Sequence, residues 1–340
     1  MAISDLFARL GTALFGGAAA DSADDLDAGL VEQAVDAIVE AVDPRLRLMP
    51  RYRQKLAPAA TRSIRFLRSL APRLPGPIEL SRAAWGTDPY INAFFATGAD
   101  VQMLLDRSTA LDEFFNEPAN IRCDAAYSVL AMRREERNVL ASALVDGELR
   151  GDVAQTTVGF TTHTLFGIAG EPSVTRGLLG EAILKRVAGL ALERIIAVRD
   201  RATELEMRKS VVATRLRMLN LRRGGLQQLA TGEPDPSAEI AALERELKAA
   251  TKDHMEIKAS LATLNHSFDQ IEAVLGEPAQ NLGMDTIELR VSHTGYKLNA
   301  ASRETATDLR LNELWIGSNL RAVIVPVRIK RPVPTSRRPR

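Results

Sequence analysis

Nucleophilic or metal chemistry in this chain would have to come from one cysteine, Cys123, and four histidines, His163, His254, His266 and His293. A Cys/His nucleophile needs an imidazole beside the thiol, and a zinc site needs His and Cys at short fixed spacings. No two of these residues have that spacing. Cys123 therefore reads as a small buried hydrophobe. His163 and His293 fall in expected strands and could meet each other, or Cys123, only through the tertiary fold. His254 falls on an apolar seam, where a polar residue fixes register. His266 falls off that seam and is expected to face solvent.

The glycine segments Gly177-Leu178-Leu179-Gly180 and Gly224-Gly225 lack the spacing of a phosphate-binding loop or dinucleotide turn. No serine sits in a nucleophile-elbow context, and no carboxylate cluster suits two metals. The residues thus assign no catalytic group, no metal ligand and no cofactor. An enzyme with no recognisable motif stays as an alternative.

Charge is the next feature that could act. Net charge is +1, yet the charges are segregated along the chain. From Gly11 to Pro44 there are eight acids and no base, among them Glu32, Asp36, Glu40 and Asp43. From Pro44 to Ile78 there are nine bases and no acid: Arg45, Arg47, Arg51, Arg53, Lys55, Arg62, Arg65, Arg68 and Arg73. Leu314 to Arg340 carries seven more bases. Two readings follow: the first two blocks neutralise each other within the fold, or the bases from Arg45 to Arg68 form an anion-binding surface for nucleic acid or an anionic membrane. Only Tyr52 and Phe66 interleave the block as aromatics, which argues against stacking on single strands. Self-neutralisation is the favoured reading.

The elements that would position these groups are dominated by two heptad stretches. Leu184, Ala188, Ala191, Ile195, Val198, Ala202, Leu205, Val212, Leu216 and Leu219 keep a 3/4 alternation with Lys209 as the polar insertion. Ile240, Leu243, Leu247, Ala250, Ile257, Leu261, Leu264, Phe268, Ile271 and Leu275 do the same with His254 as theirs. Joined by a Gly/Pro-containing break, they predict an antiparallel coiled-coil hairpin with an arm of roughly 54 Å. Setting Leu184 against Leu275 places Ala191 opposite Phe268, Ile195 opposite Leu264, Val198 opposite Leu261, Leu205 opposite His254 and Lys209 opposite Ala250. Small residues then meet large ones.

The rest of the chain predicts an α+β fold: an N-terminal helical region, then an antiparallel β-rich domain interrupted by the hairpin. Residues 1–29 read as an amphipathic helix and acidic linker, and 30–118 as the helical region with Trp85, Tyr90, Phe94, Phe95, Phe114 and Phe115 as core. Residues 119–172 and 284–331 read as the discontinuous β-rich domain, 173–283 as the coiled-coil insertion, and 332–340 as a disordered basic tail. In residues 127–149 the Ala, Leu, Met, Arg and Glu content favours helix, while Arg134-Glu135-Glu136 also suits the turn of a hairpin; the hairpin is the preferred reading. A break is expected near Thr162-His163, and Pro326 places its strand at an edge or a bulge. The short N-terminal helix is expected either to pack on its own protein or to be disordered, rather than to dock on a membrane, since its polar face lacks the bases of a membrane anchor.

A composition of 46% hydrophobic and 26% charged residues suits a soluble protein with a substantial core. One cysteine and no apolar run of bilayer length point to a cytoplasmic protein. It is expected to act through protein-protein interaction, with an unidentified protein partner met by the coiled coil and a homo-oligomer as an alternative.

Overall fold

In the computed structural model, which describes residues 3–16, 28–145, 148–223, 237–292, 294–298 and 305–332, the strands are β1 (Ile78–Glu79), β2 (Ala125–Val145), β3 (Glu148–Ala169), β4 (Leu282–Ser292), β5 (Ala306–Ile316) and β6 (Leu320–Lys330). They form one sheet in the order β3-β2-β6-β5-β4, antiparallel throughout, with β1 added parallel to β6. The Val/Ile run of β6 suits a strand covered on both faces, and Val323, Ile324, Val325, Val327 and Ile329 are all buried.

Pro326 therefore stands in an interior strand, not at the expected edge. Leu80 N–H donates to Arg328 O at 2.9 Å, so even-numbered residues of β6 turn their backbone groups toward β1 and β5. On that side β5 ends at Asn312↔Ile324 and β1 begins at Ile78↔Val327. The missing N–H of Pro326 faces the gap between the two, where no ladder bond is lost.

Strands β2 and β3, of 21 and 22 residues, make one long hairpin that turns after Val145. Arg134-Glu135-Glu136 runs straight through β2 and pairs with Phe160, Gly159 and Val158, which corrects the expected turn. The expected break at Thr162-His163 is a bulge within β3: the register slips between Ala131↔Thr164 and Arg133↔Thr161, and Thr162 has φ of 52°.

Helices cover both faces of the sheet. On one side lie α1 (Ile3–Phe15), α2 (Ala28–Val42), α3 (Tyr52–Leu70), the base of α7 (Pro172–Arg223) and α9 (Leu264–Gly276), sharing a core with Val129, Leu314 and Ile324. On the other lie α4 (Pro89–Phe94), α5 (Gly98–Asp106) and α6 (Thr109–Asn116), whose Phe94, Val101, Leu111 and Phe115 pack with Leu130, Val325 and Val327. Trp85, Tyr90 and Phe114 are half-buried against this second core. The chain is thus an α+β fold in which residues 30–118 serve both layers. Helix α1 buries Phe7, Leu10, Leu14 and Phe15 and lies against α7.

Helix α7 has 52 residues, about 78 Å at 1.5 Å per residue. Its distal half pairs with α8 (Ser237–Leu261). The ion pairs Arg208–Glu246 and Arg215–Glu239, at 2.7 and 2.6 Å, make the two helices antiparallel. Where the sequence suggested one uninterrupted second helix, Ala262 and Thr263 separate α8 from α9, with Thr263 extended at φ −107°, ψ 147°. The break lets α9 bury Phe268, Ile271 and Leu275 against α3 as well as α7, and Ser63 Oγ donates to Leu275 O at 2.7 Å. A short α10 (Pro278–Asn281) returns the chain to β4. The tip 224–236, most of the linker (17–27) and the tail 333–340 lie outside the described residues.

Candidate functional site

Acids of the first charged block hold several bases of the second. Arg45 makes a bidentate pair with Asp43, through Nε at 2.9 Å and Nη2 at 2.8 Å. Arg47 pairs with Glu40 at 2.8 Å. Arg53 grips Asp36 at 2.8 and 2.7 Å, and Tyr52 Oη donates to the same carboxylate at 2.7 Å. Burial pushes the Asp36 carboxyl up, but the hydrogen bonds from Arg53 and Tyr52 outweigh it and hold it below the ordinary carboxylate range. The hydrogen bond from Arg45 does the same for Asp43. Arg62 Nε donates to Gly276 O at 3.0 Å, and Lys55 Nζ stands 5.9 Å from the Phe268 ring centroid. Arg51, Arg65 and Arg68 are left with no side-chain partner among the described residues. At the far end, Arg331 is anchored by hydrogen bonds to Cys123 O, Phe115 O and Asn120 O. The expected disorder of the tail falls, beyond Pro332, outside the described residues.

In the helix pair, Ala191, Ile195 and Phe268 are buried in one cluster, and Val198, Lys209, Leu261 and Leu264 are half-buried. His254 is buried, with Nδ1 3.2 Å from Glu206 and 3.3 Å from Lys209, within a turn of its expected neighbour Leu205. The Lys209 ammonium holds the Glu206 carboxyl below its ordinary pKa.

A second stripe on α7 escaped the sequence reading. Met207, Val211, Met218 and Leu221 are 61, 68, 62 and 77% exposed. With Thr214 they repeat the 4/3 spacing of Leu205, Lys209, Val212, Leu216 and Leu219, two residues out of phase. Two residues of an α-helix turn by about 200°. The stripe therefore lies on the face of α7 opposite α8. From Met207 to Arg223 there are six bases and no acid; Arg208 and Arg215 pair with α8 and Lys209 lies in the contact with it, which leaves Arg217 and Arg222 beside the stripe. A seam search locks onto the phase with the strongest apolar residues and passes over a second phase of the same period.

A concavity of about 740 Å3 lies between the α4–α6 layer and the bulge of β3. Its floor is Phe94, Phe160, Leu165 and Leu104, with Phe94 and Phe160 packed edge to face at 5.0 Å. The bulge presents His163. Its Nε2 lies 2.8 Å from Phe94 O, and because a carbonyl only accepts, Nε2 carries the proton and Nδ1 keeps a lone pair. The ring stacks on Phe95 at 4.3 Å. Burial pushes the imidazole pKa down, with the Asp100 carboxylate acting in the opposite sense. The ring is neutral at pH 7. Along the wall, α5 offers one face: Asp100, Met103, Leu104 and, at its C-cap, Arg107.

The other candidate groups do not converge. Cys123 is a free, half-buried thiol. His266 is half-buried, not solvent-facing, and its Nδ1 meets Ser260 Oγ at 3.2 Å. His293 lies outside the described residues, and among those described no three His, Cys, Asp or Glu side chains are grouped to hold a metal. No described helix is long and apolar enough to cross a membrane. Compared with protein-family models, curated proteins and solved structures, the chain matches none.

Proposed function

We propose that the protein works through protein-protein interaction, as a coiled-coil arm carried by an α+β base, in a reducing cytoplasm. The occupant of its outward face is an amphipathic helix of a partner protein with acidic flanks. The observation that carries this reading is the exposed stripe Met207, Val211, Met218 and Leu221 on the face of α7 turned away from α8. Its 4/3 spacing suits a further helix in knobs-into-holes contact. Arg208 and Arg215 are held by Glu246 and Glu239 of α8, so it is Arg217 and Arg222, exposed beside the stripe, that call for carboxylates at the partner's flanking positions.

A second copy fits less well, because residues 207–223 contain no acid and so offer Arg217 and Arg222 no carboxylate. A membrane fits less well too, since residues 207–223 contain no aromatic to seat at the lipid interface. The polyanion reading keeps only Arg51 and Arg65, both exposed, and the half-buried Arg68, none with a side-chain partner among the described residues.

The test uses two 28-residue peptides with leucine at both core positions, one with glutamate and one with lysine at the flanks, titrated against the full chain. The acidic peptide should bind and the basic one should not. Equal binding of both, or binding to phosphatidylserine vesicles with no binding of the acidic peptide, would refute the reading.

A further inference from the structure

From the cleft over β3 we infer a second site, independent of the arm: a binding site for a small zwitterion with an aromatic body, of the kind a free aromatic amino acid presents. A volume of about 740 Å3 falls in the range of small-molecule pockets. The floor is aromatic and aliphatic, and the Phe95–His163 stack supplies a flat wall. The charged groups at its rim come as one acid and one base on one face of α5 and its cap. Asp100 and Arg107 are seven residues apart, about 10.5 Å along the axis, and an arginine side chain leans back toward the helix N-terminus.

Neither residue is in an ion pair among the described residues, although Asp100 spends one oxygen on the capping box of α5. One carboxylate oxygen of Asp100 accepts from Thr97 N and Oγ1 at 2.9 and 2.8 Å, and Arg107 forms no ion pair among the described residues. A ligand with a single charge would leave one of the two unanswered. An ammonium directed to Asp100 and a carboxylate directed to Arg107 satisfy both, while the ring lies over the aromatic and aliphatic floor. The Nδ1 lone pair of His163 adds an acceptor for a phenolic or indole proton.

The backbone supports the same assignment. Thr162 is β-branched and sits at φ 52°, a conformation that costs energy for such a residue, and the bulge it makes places His163 in the wall.

Four probes decide the matter on the full chain, followed by calorimetry and by amide shifts of residues 97–108 and 160–165: L-phenylalanine, 3-phenylpropanoate, 2-phenylethylammonium and glycine. L-Phenylalanine should bind at least about 10-fold more tightly than either single-charge analogue, and glycine should not saturate the site. D100N should bring L-phenylalanine down to the level of 3-phenylpropanoate, and R107Q down to that of 2-phenylethylammonium. D100N retains an oxygen to cap α5, and Arg107 is exposed, so both variants should fold; the probe series on the unaltered chain tests the inference without them. The inference is overturned if 3-phenylpropanoate binds as well as L-phenylalanine, or if none of the four shifts those amides at 10 mM.

Discussion

A Cβ built on Gly11 would lie 2.2 Å from the carbonyl oxygen of Gly177, so α1 and α7 touch backbone to backbone. The same contact uses Gly180, where a Cβ would come 2.5 Å from the ring of Phe15. The Gly177-Leu178-Leu179-Gly180 segment that resembles no phosphate loop is thus a helix-packing surface. G11A should separate the helices and cost about 1–3 kcal/mol. Hydrogen exchange should show faster opening of residues 3–16 while the β6 amides stay protected. Unchanged exchange in α1 would mean that the two helices slide apart at no cost.

Asp43 joins three elements: it holds Arg45, caps the turn that begins at Pro44, and accepts from Ser267 Oγ on α9 at 3.0 Å while buried. D43A should lower unfolding stability by about 2 kcal/mol, because it strips a buried acceptor from Arg45 and Ser267. D43N, which keeps one acceptor, should cost less. Denaturant midpoints at pH 7 measure both.

His163 gives a pH signature. Its folded pKa lies below the ordinary 6.5, so the unfolded chain takes up the proton first as pH falls. Stability from this group is full above about 6.5 and is lost as pH drops from there to the lowered folded value. H163N, whose amide can still donate to Phe94 O, should flatten the stability profile in that window. A wild-type profile already flat below pH 6.5 would contradict the neutral, buried imidazole.

Lys209 and His254 place a polar pair inside the α7–α8 contact, 3.3 Å apart. Replacing both, as K209M with H254L, should raise the stability of the helix pair by about 1–2 kcal/mol and relax its register. H254L alone should gain less, since it leaves the ammonium beside an apolar side chain. Thermal melts measure the gain, and cysteine cross-linking between α7 and α8 measures the register.

Much of this architecture is legible in local pattern. The 3/4 alternation from Leu184 to Leu219 marks α7, and the short β-branched run from Val323 to Ile329 marks β6. The pairing of Arg53 with Asp36 and Arg47 with Glu40 is anticipated by opposite blocks lying next to each other in sequence. What escapes is set at a distance. Nothing local says that Pro326 will face the gap between β5 and β1, or that Thr263 will end a helix so that α9 can reach α3. The cleft is missed for the same reason: Asp100, Arg107 and His163 carry no spacing signal and come together only because the sheet brings the bulge of β3 beneath α5. Only the break at Thr162-His163 hints at it.

The most direct measurement for the arm is the affinity of the acidic heptad peptide for the native chain against a V211E/M218E variant, read by fluorescence anisotropy at fixed salt. Both positions are exposed and away from α8, so the variant should keep its fold and its helix content. The account predicts at least a 10-fold loss of affinity in V211E/M218E, with no loss in a control that places glutamate at the exposed Lys252 of α8. Equal affinity of the native chain and V211E/M218E would contradict it.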